Sequence, residues 1–263
     1  MTQAIGLLGE IFGAAAIVAL SVALAIAAGG SRLIRSGRGS DFVLPCALVI
    51  GFFAGYLMLP RSFAALVPQP NQPWQWLPYF AAITAILSAS LSPLSRPAAW
   101  IFPLVVSACI EAAVFAPSWP IFGLTQRPLH LVVALYLVLV GGPLLYLPSK
   151  VGERWLLPSL ALSGAITAVV VGAMVSTRLA GLVAVAAGAF AAAAIFNTRF
   201  IKASDRSRRS VVAVFAILAG GSAWLAFTDP DPPRSILLFG PLLPLLLWPV
   251  AVIRVPSAGG KIG

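Results

Sequence analysis

LLPSLALSGAITAVVVGAMVSTRLAGLVAVAAGAFAAAAIFNT, residues 156–198, carries a single charged side chain, Arg178. A helix that crosses a bilayer needs about 17–25 mostly apolar residues, because it must cover about 30 Å of hydrocarbon at about 1.5 Å per residue. The stretch holds two such runs, 156–176 and 179–198, meeting at Ser176-Thr177-Arg178. Small residues recur every fourth position in both: Gly164, Ala168, Gly172 and Ser176, then Ala180, Ala184, Gly188 and Ala192. Helices in lipid gain no hydrophobic burial from one another and associate by close backbone approach, which small residues permit. The spacing therefore predicts two antiparallel membrane helices in close contact. Gly9 and Gly13, and Gly51 and Gly55, repeat the pattern more weakly.

The rest of the chain has the same character. Of 263 residues, 60% are apolar and only 9% charged, and the mean hydropathy is +1.00. Soluble domains are about a quarter charged, so a water-soluble globule is excluded, as is a disordered chain. Working outward, seven further segments are long and apolar enough to cross: 5–28, 42–60, 77–94, 98–117, 129–148, 211–228 and 235–253. The expected fold is one domain over residues 1–263, an all-α polytopic integral membrane protein with about nine transmembrane helices.

Sorting the charges gives that count a direction. Nine spans place Arg32, Arg35, Arg38, Arg96, Lys150, Arg154, Arg199, Lys202, Arg206, Arg208, Arg209, Arg254 and Lys261 on one side. Arg61, Arg127, Arg178 and Arg234 fall on the other. Short cytoplasmic loops carry the excess of Lys and Arg, so the N-terminus is expected outside and the C-terminus in the cytoplasm. The net charge of +10 then reflects topology and contact with membrane lipids, anionic lipid at the cytoplasmic face above all, rather than a nucleic-acid partner. No positive charge precedes the first apolar run, so that run reads as a retained span and not a cleaved signal. The expected location is the plasma membrane, as a multi-pass protein (the inner membrane of a double-membraned bacterium).

Within the spans, polar groups are few. Thr84, Ser88, Ser92 and Ser95 line one face of the third, and Ser159, Ser163 and Thr167 one face of the sixth. Helix hydroxyls bond back to a carbonyl one turn earlier, so packing explains both stripes better than a conduit does. Prolines interrupt the spans at Pro103, at Gly141-Gly142-Pro143, and at Pro241, Pro244 and Pro249. Such breaks bend helices and form substrate sites in some transporters. Cys46 and Cys109 lie in apolar runs with no metal-ligand spacing, and the Pro-flanked DPDPPR at 229–234 reads as a rigid acidic turn before it reads as a metal site.

Two carboxylates fall inside the membrane, Glu10 and Glu111. Intramembrane ionisable groups are costly, so a function is the default reading for them. The candidate site comprises Glu111, Glu10, Arg178, Thr84, Ser88, Ser163 and Thr167, a relay or a packing site, with Glu10 the more structural acid. No metalloprotease, nucleophile-elbow or phosphate-loop motif occurs, so no enzyme, cofactor or metal is expected, and the lone His130 rules out bis-histidine haem ligation by one chain. The functional expectation is a small-solute or ion transporter or permease component. The alternative is a non-catalytic scaffold or anchoring subunit that meets other membrane subunits.

Overall fold

The computed structural model describes residues 13, 15–27, 30, 40–59, 70–91, 97–117, 121–147, 155–199, 204–229 and 234–249. Among them the chain is 89% helical without a strand. The helices are α1 (Ala15–Ala27), α2 (Ser40–Met58), α3 (Leu77–Leu91), α4 (Pro97–Phe115), α5 (Gln126–Leu145), α6 (Leu157–Met174), α7 (Thr177–Arg199) and α8 (Asp205–Thr228). Four described segments are long and apolar enough to cross a membrane: Gln126–Leu145, Leu157–Met174, Thr177–Ile195 and Asp205–Thr228.

Helix α8 is the central post. Every residue from Ser210 to Trp224 is buried, and α2, α3, α4, α5 and α7 pack around it. Its sequence suits the position, since Ala, Val and Gly let neighbouring backbones approach. Ser204 caps its start, its Oγ accepting from Ser207 N at 3.1 Å. One π-helical turn, Ala216–Gly220, interrupts its middle. The outer helices instead show apolar side chains outward, among them Ile50, Ile83, Ile86, Phe102, Leu131, Leu135, Leu139, Leu162 and Val169. An outer surface of that kind matches lipid, whereas soluble monomers rarely expose large contiguous apolar areas.

The expected hairpin is the closest helix pair: α6 and α7 make the most extensive contact in the fold. A Cβ on Gly164 would stand 3.2 Å from the Ala187 Cβ, and one on Gly172 3.0 Å from the Ala180 Cβ. One part of the expectation needs correction. Gly188 does not face α6, because a Cβ there would run into the carbonyl of Ala16 on α1. The α7 helix is small-sided on two faces, so Ala180 and Ala187 serve α6 while Gly188 seats α1. Gly51 and Gly55, the weaker pattern, make equally close approaches: a Cβ on either would meet a carbonyl of α1 at 2.6 Å, Ala19 for Gly51 and Ala15 for Gly55. Among the described residues nothing would meet a Cβ on Gly13, and Gly9 lies outside them.

The ninth segment departs from an ordinary helix. Ser235–Leu238 and Gly240–Leu246 are 3-10 turns. Pro241 and Pro244 lack the N–H donors an α-helix would use there, and the chain winds tighter instead. This segment packs against α6 and α5. Pro143 lies in the last turn of α5, not deep within it, and its carbonyl accepts from Trp248 Nε1 at 3.2 Å.

Gly188→Ala should displace α1 from α7 and cost about 1–3 kcal/mol, the usual penalty of overpacking. Gly13→Ala, with open space, should leave stability unchanged. Thermal denaturation of the detergent-solubilised variants checks the pair, and equal midpoints would refute the α1–α7 contact.

Candidate functional site

Glu111 sits on α4 with no exposed surface. Its carboxyl group lies on Gly221, the first residue after the π turn of α8: a Cβ there would collide with Glu111 Oε1. The same Cβ would stand 2.8 Å from Leu77 Cδ2 and 3.0 Å from Phe115 Cε2. The carboxyl group is thus held among an aliphatic chain, an aromatic ring and bare helix backbone. Neither of its oxygens has a hydrogen-bond partner among the described residues. A buried polar group left without a partner costs about 1–3 kcal/mol, more if charged, so its retention asks for a reason.

Two more buried polar atoms lack partners among the described residues, Ser88 Oγ on α3 and Ser107 Oγ on α4. Ser107 precedes Glu111 by one helical turn, about 6 Å of rise, and faces the same way. Leu77 and Glu111 converge on Gly221, which sets the start of α3 beside the end of α4. Ser107, Thr84 and Ser88 then follow at increasing depth. Thr84 is satisfied within its helix, its Oγ1 donating to Phe80 O at 2.7 Å.

Above Glu111 opens a cavity of about 650 Å³. Its lining comes from the end of α4 (Val114 to Pro117), the hairpin turn (Ser176, Arg178, Leu179), the end of α8 (Leu225, Thr228, Asp229) and Gln72 to Trp74. Phe115 is shared by both places, since it borders the cavity and approaches the Gly221 surface beside the carboxyl group. It is well held: Trp224 Nε1 donates to its carbonyl at 3.3 Å, and Phe80 meets its ring edge-on at 5.7 Å between centroids. Arg178 and Asp229 bring opposite charges to the same cavity.

The other sequence candidates lie elsewhere. Ser163 Oγ donates to Gly240 O at 2.7 Å, Thr167 Oγ1 donates to Ser163 O at 2.8 Å, and a Cβ on Gly240 would run into Thr167 Oγ1. That stripe therefore docks the 3-10 segment onto α6 and does not join Glu111. Glu10, Ser92 and Ser95 lie outside the described residues. Sequence reasoning missed Ser107, Phe115, Gly221 and Asp229 as parts of the site. Ser107 could have been found from its place four residues before Glu111, and Gly221 from the adjacent glycines Gly220 and Gly221 inside an apolar span. Among the described residues no group of three or more His, Cys, Asp or Glu could hold a metal ion.

Comparison of the chain with protein-family models, with curated proteins and with solved structures finds no match.

The contact between Glu111 and Gly221 can be tested by a double-mutant cycle. Gly221→Ala should destabilise the protein, and removing the carboxyl group with Glu111→Ala should recover part of the loss, giving a coupling of at least about 0.5 kcal/mol. Strict additivity in thermal unfolding would show that the two residues do not touch.

Proposed function

We propose that the chain is a multi-pass plasma-membrane protein of nine spans, N-terminus outside and C-terminus cytoplasmic, that moves a small solute or ion, with Glu111 as its intramembrane relay. The observation that carries the reading is a fully buried carboxyl group with both oxygens unpartnered among the described residues, one turn beneath a cavity holding Arg178 and Asp229. In low dielectric an isolated carboxylate is disfavoured unless a proton or a cation accompanies it, and a group of that kind suits a site that is loaded and emptied in turn. The π turn against which it rests adds support, because such turns are frequent at functional sites. Phe115 and Leu77 then act as the closed gate between carboxyl group and cavity.

A scaffold or anchoring role is the second reading. Its support is the same seal viewed as permanent, together with hydroxyls at Thr84, Ser163 and Thr167 that are engaged by backbone carbonyls.

Reconstitution separates the two. The full chain in liposomes, under a potassium diffusion potential of either sign, should admit protons or sodium faster than empty vesicles. Glu111→Gln should bring the rate back to that of empty vesicles, and Phe115→Ala should raise it. Wild-type vesicles as tight as empty ones to protons, sodium and potassium would leave the scaffold reading standing.

A further inference from the structure

Several helix hydroxyls in this fold are bonded back to their own backbone. Thr84 Oγ1 donates to Phe80 O at 2.7 Å, Thr167 Oγ1 to Ser163 O at 2.8 Å and Ser159 Oγ to Leu156 O at 2.7 Å. This is the usual way a helix satisfies such a group. Ser107 on α4 departs from it, being 2% exposed with its Oγ unpartnered among the described residues. One turn further along the same helix stands Glu111, unpartnered in the same sense. We propose that Glu111 is a proton-selective swinging carboxyl group, which binds a proton rather than a metal cation and moves between a place on Gly221 and a place on Ser107.

The reach follows from helix geometry. Residues four apart share a face, with Cβ atoms about 5–6 Å from each other, and helix side chains lean towards the preceding turn. A glutamate rotated that way brings its carboxyl group to the serine hydroxyl. In the structure the group rests on Gly221 instead, where an added Cβ would collide with Oε1. Chemistry matches the second place to the acid form. A neutral carboxyl group has an O–H donor besides its acceptor oxygens, a carboxylate has acceptors alone, and a serine hydroxyl is both donor and acceptor. Protonated Glu111 can therefore pair with Ser107 in both senses, and it carries no charge into a low-dielectric surrounding.

A metal cation finds too few ligands at either place. Hard cations such as calcium and magnesium are caged by about six or more oxygens, and sodium sites in transporters borrow carbonyls from unwound helix. Besides Oε1, the atoms nearest to a Cβ on Gly221 are Leu77 Cδ2 and Phe115 Cε2, both carbon. The α8 backbone stays wound at this crossing: the Gly221 N–H donates to Ile217 O and Leu218 O, and Gly221–Thr228 continues as α-helix. Among the described residues Ser107 Oγ is the one buried, unpartnered side-chain oxygen that α4 adds to those of Glu111. A proton needs a single oxygen. The inference rests on the reading of Glu111 as a group loaded and emptied in turn, and it names the load: a proton taken from water by the carboxylate and returned to water on release.

Infrared spectra of the full chain in liposomes at neutral pH test it. The wild type should show two neutral-carboxyl bands above the amide I region, both shifting to lower frequency in heavy water. The higher belongs to the group on Gly221, and the lower, hydrogen-bonded one to the group on Ser107. Glu111→Gln should remove both, Ser107→Ala should remove the lower alone, and replacing choline by sodium should change neither. Loss of the bands in sodium, or sodium uptake by the same vesicles that Glu111→Gln abolishes, would overturn the proton as occupant while leaving transport in place. A wild-type spectrum that Ser107→Ala does not alter would overturn the swing, and one without any band sensitive to Glu111→Gln would overturn both parts. Vesicles as tight to protons as empty ones, with both bands present, would refute transport and uphold the proton site.

Discussion

Close backbone approach around α8 is the constraint on which the other features depend. In a lipid medium a helix gains nothing by exchanging acyl chains for leucines, so a wholly enclosed helix is held by contact distance. The α8 helix meets that demand with small residues at each crossing. Ala216 accepts Gly141 of α5, where an added Cβ would stand 2.8 Å away, and Gly220 lies against Leu137, where it would stand 3.0 Å away. Gly221 opens the space that Glu111 occupies. The π turn falls across these same positions, widening the helix locally where three neighbours press on it.

That arrangement separates the polar chemistry into two ends. Towards one, α4, α7 and α8 finish around a cavity with an acid buried beneath it. Towards the other, the start of α8 brings Asp205, Arg208 and Arg209 among leucines. Between them the hydroxyls of Thr84, Ser163 and Thr167 are engaged by backbone carbonyls, which is how a helix in lipid keeps its polar groups satisfied. Ser88, Ser107 and Glu111 depart from that economy, and all three lie on the adjoining helices α3 and α4. Both ends of the molecule draw residues from α8, whose stretch from Ser210 to Trp224 is buried throughout.

The all-helical character and the four membrane-capable helices were legible, because such helices follow from length and hydropathy alone. The hairpin of α6 and α7 and the small-residue faces were readable from spacing, and Glu111 from its place as one of two carboxylates inside apolar runs. Which small face met which neighbour was not. Gly188 and Ala187 are adjacent in sequence and about a hundred degrees apart around the helix, so one meets α1 and the other α6. The hydroxyl stripe of the sixth span was read as packing, and its partner turned out to be the 3-10 segment, reached by Ser163 across 77 positions in sequence. The tighter winding of that segment was foreshadowed by its prolines, though a bent α-helix was the expectation. Arg208, sorted with the other basic residues onto one side of the membrane, is buried.

What the sequence determined by itself is what depends on composition and local order: a helical chain too apolar for water, with its rare charges in identifiable places. Local spacing sets those properties, since a helix satisfies its own backbone and its faces follow from its period. The tertiary structure alone decided what each face touches. Glu111 could have met an arginine, water or bare backbone, and it met Gly221 because α4 and α8 cross there without side chains between them. Likewise a small cavity forms at Arg208 because α5, α6 and α8 end at the same level. Both are meetings of residues far apart in the chain, and no local period encodes them.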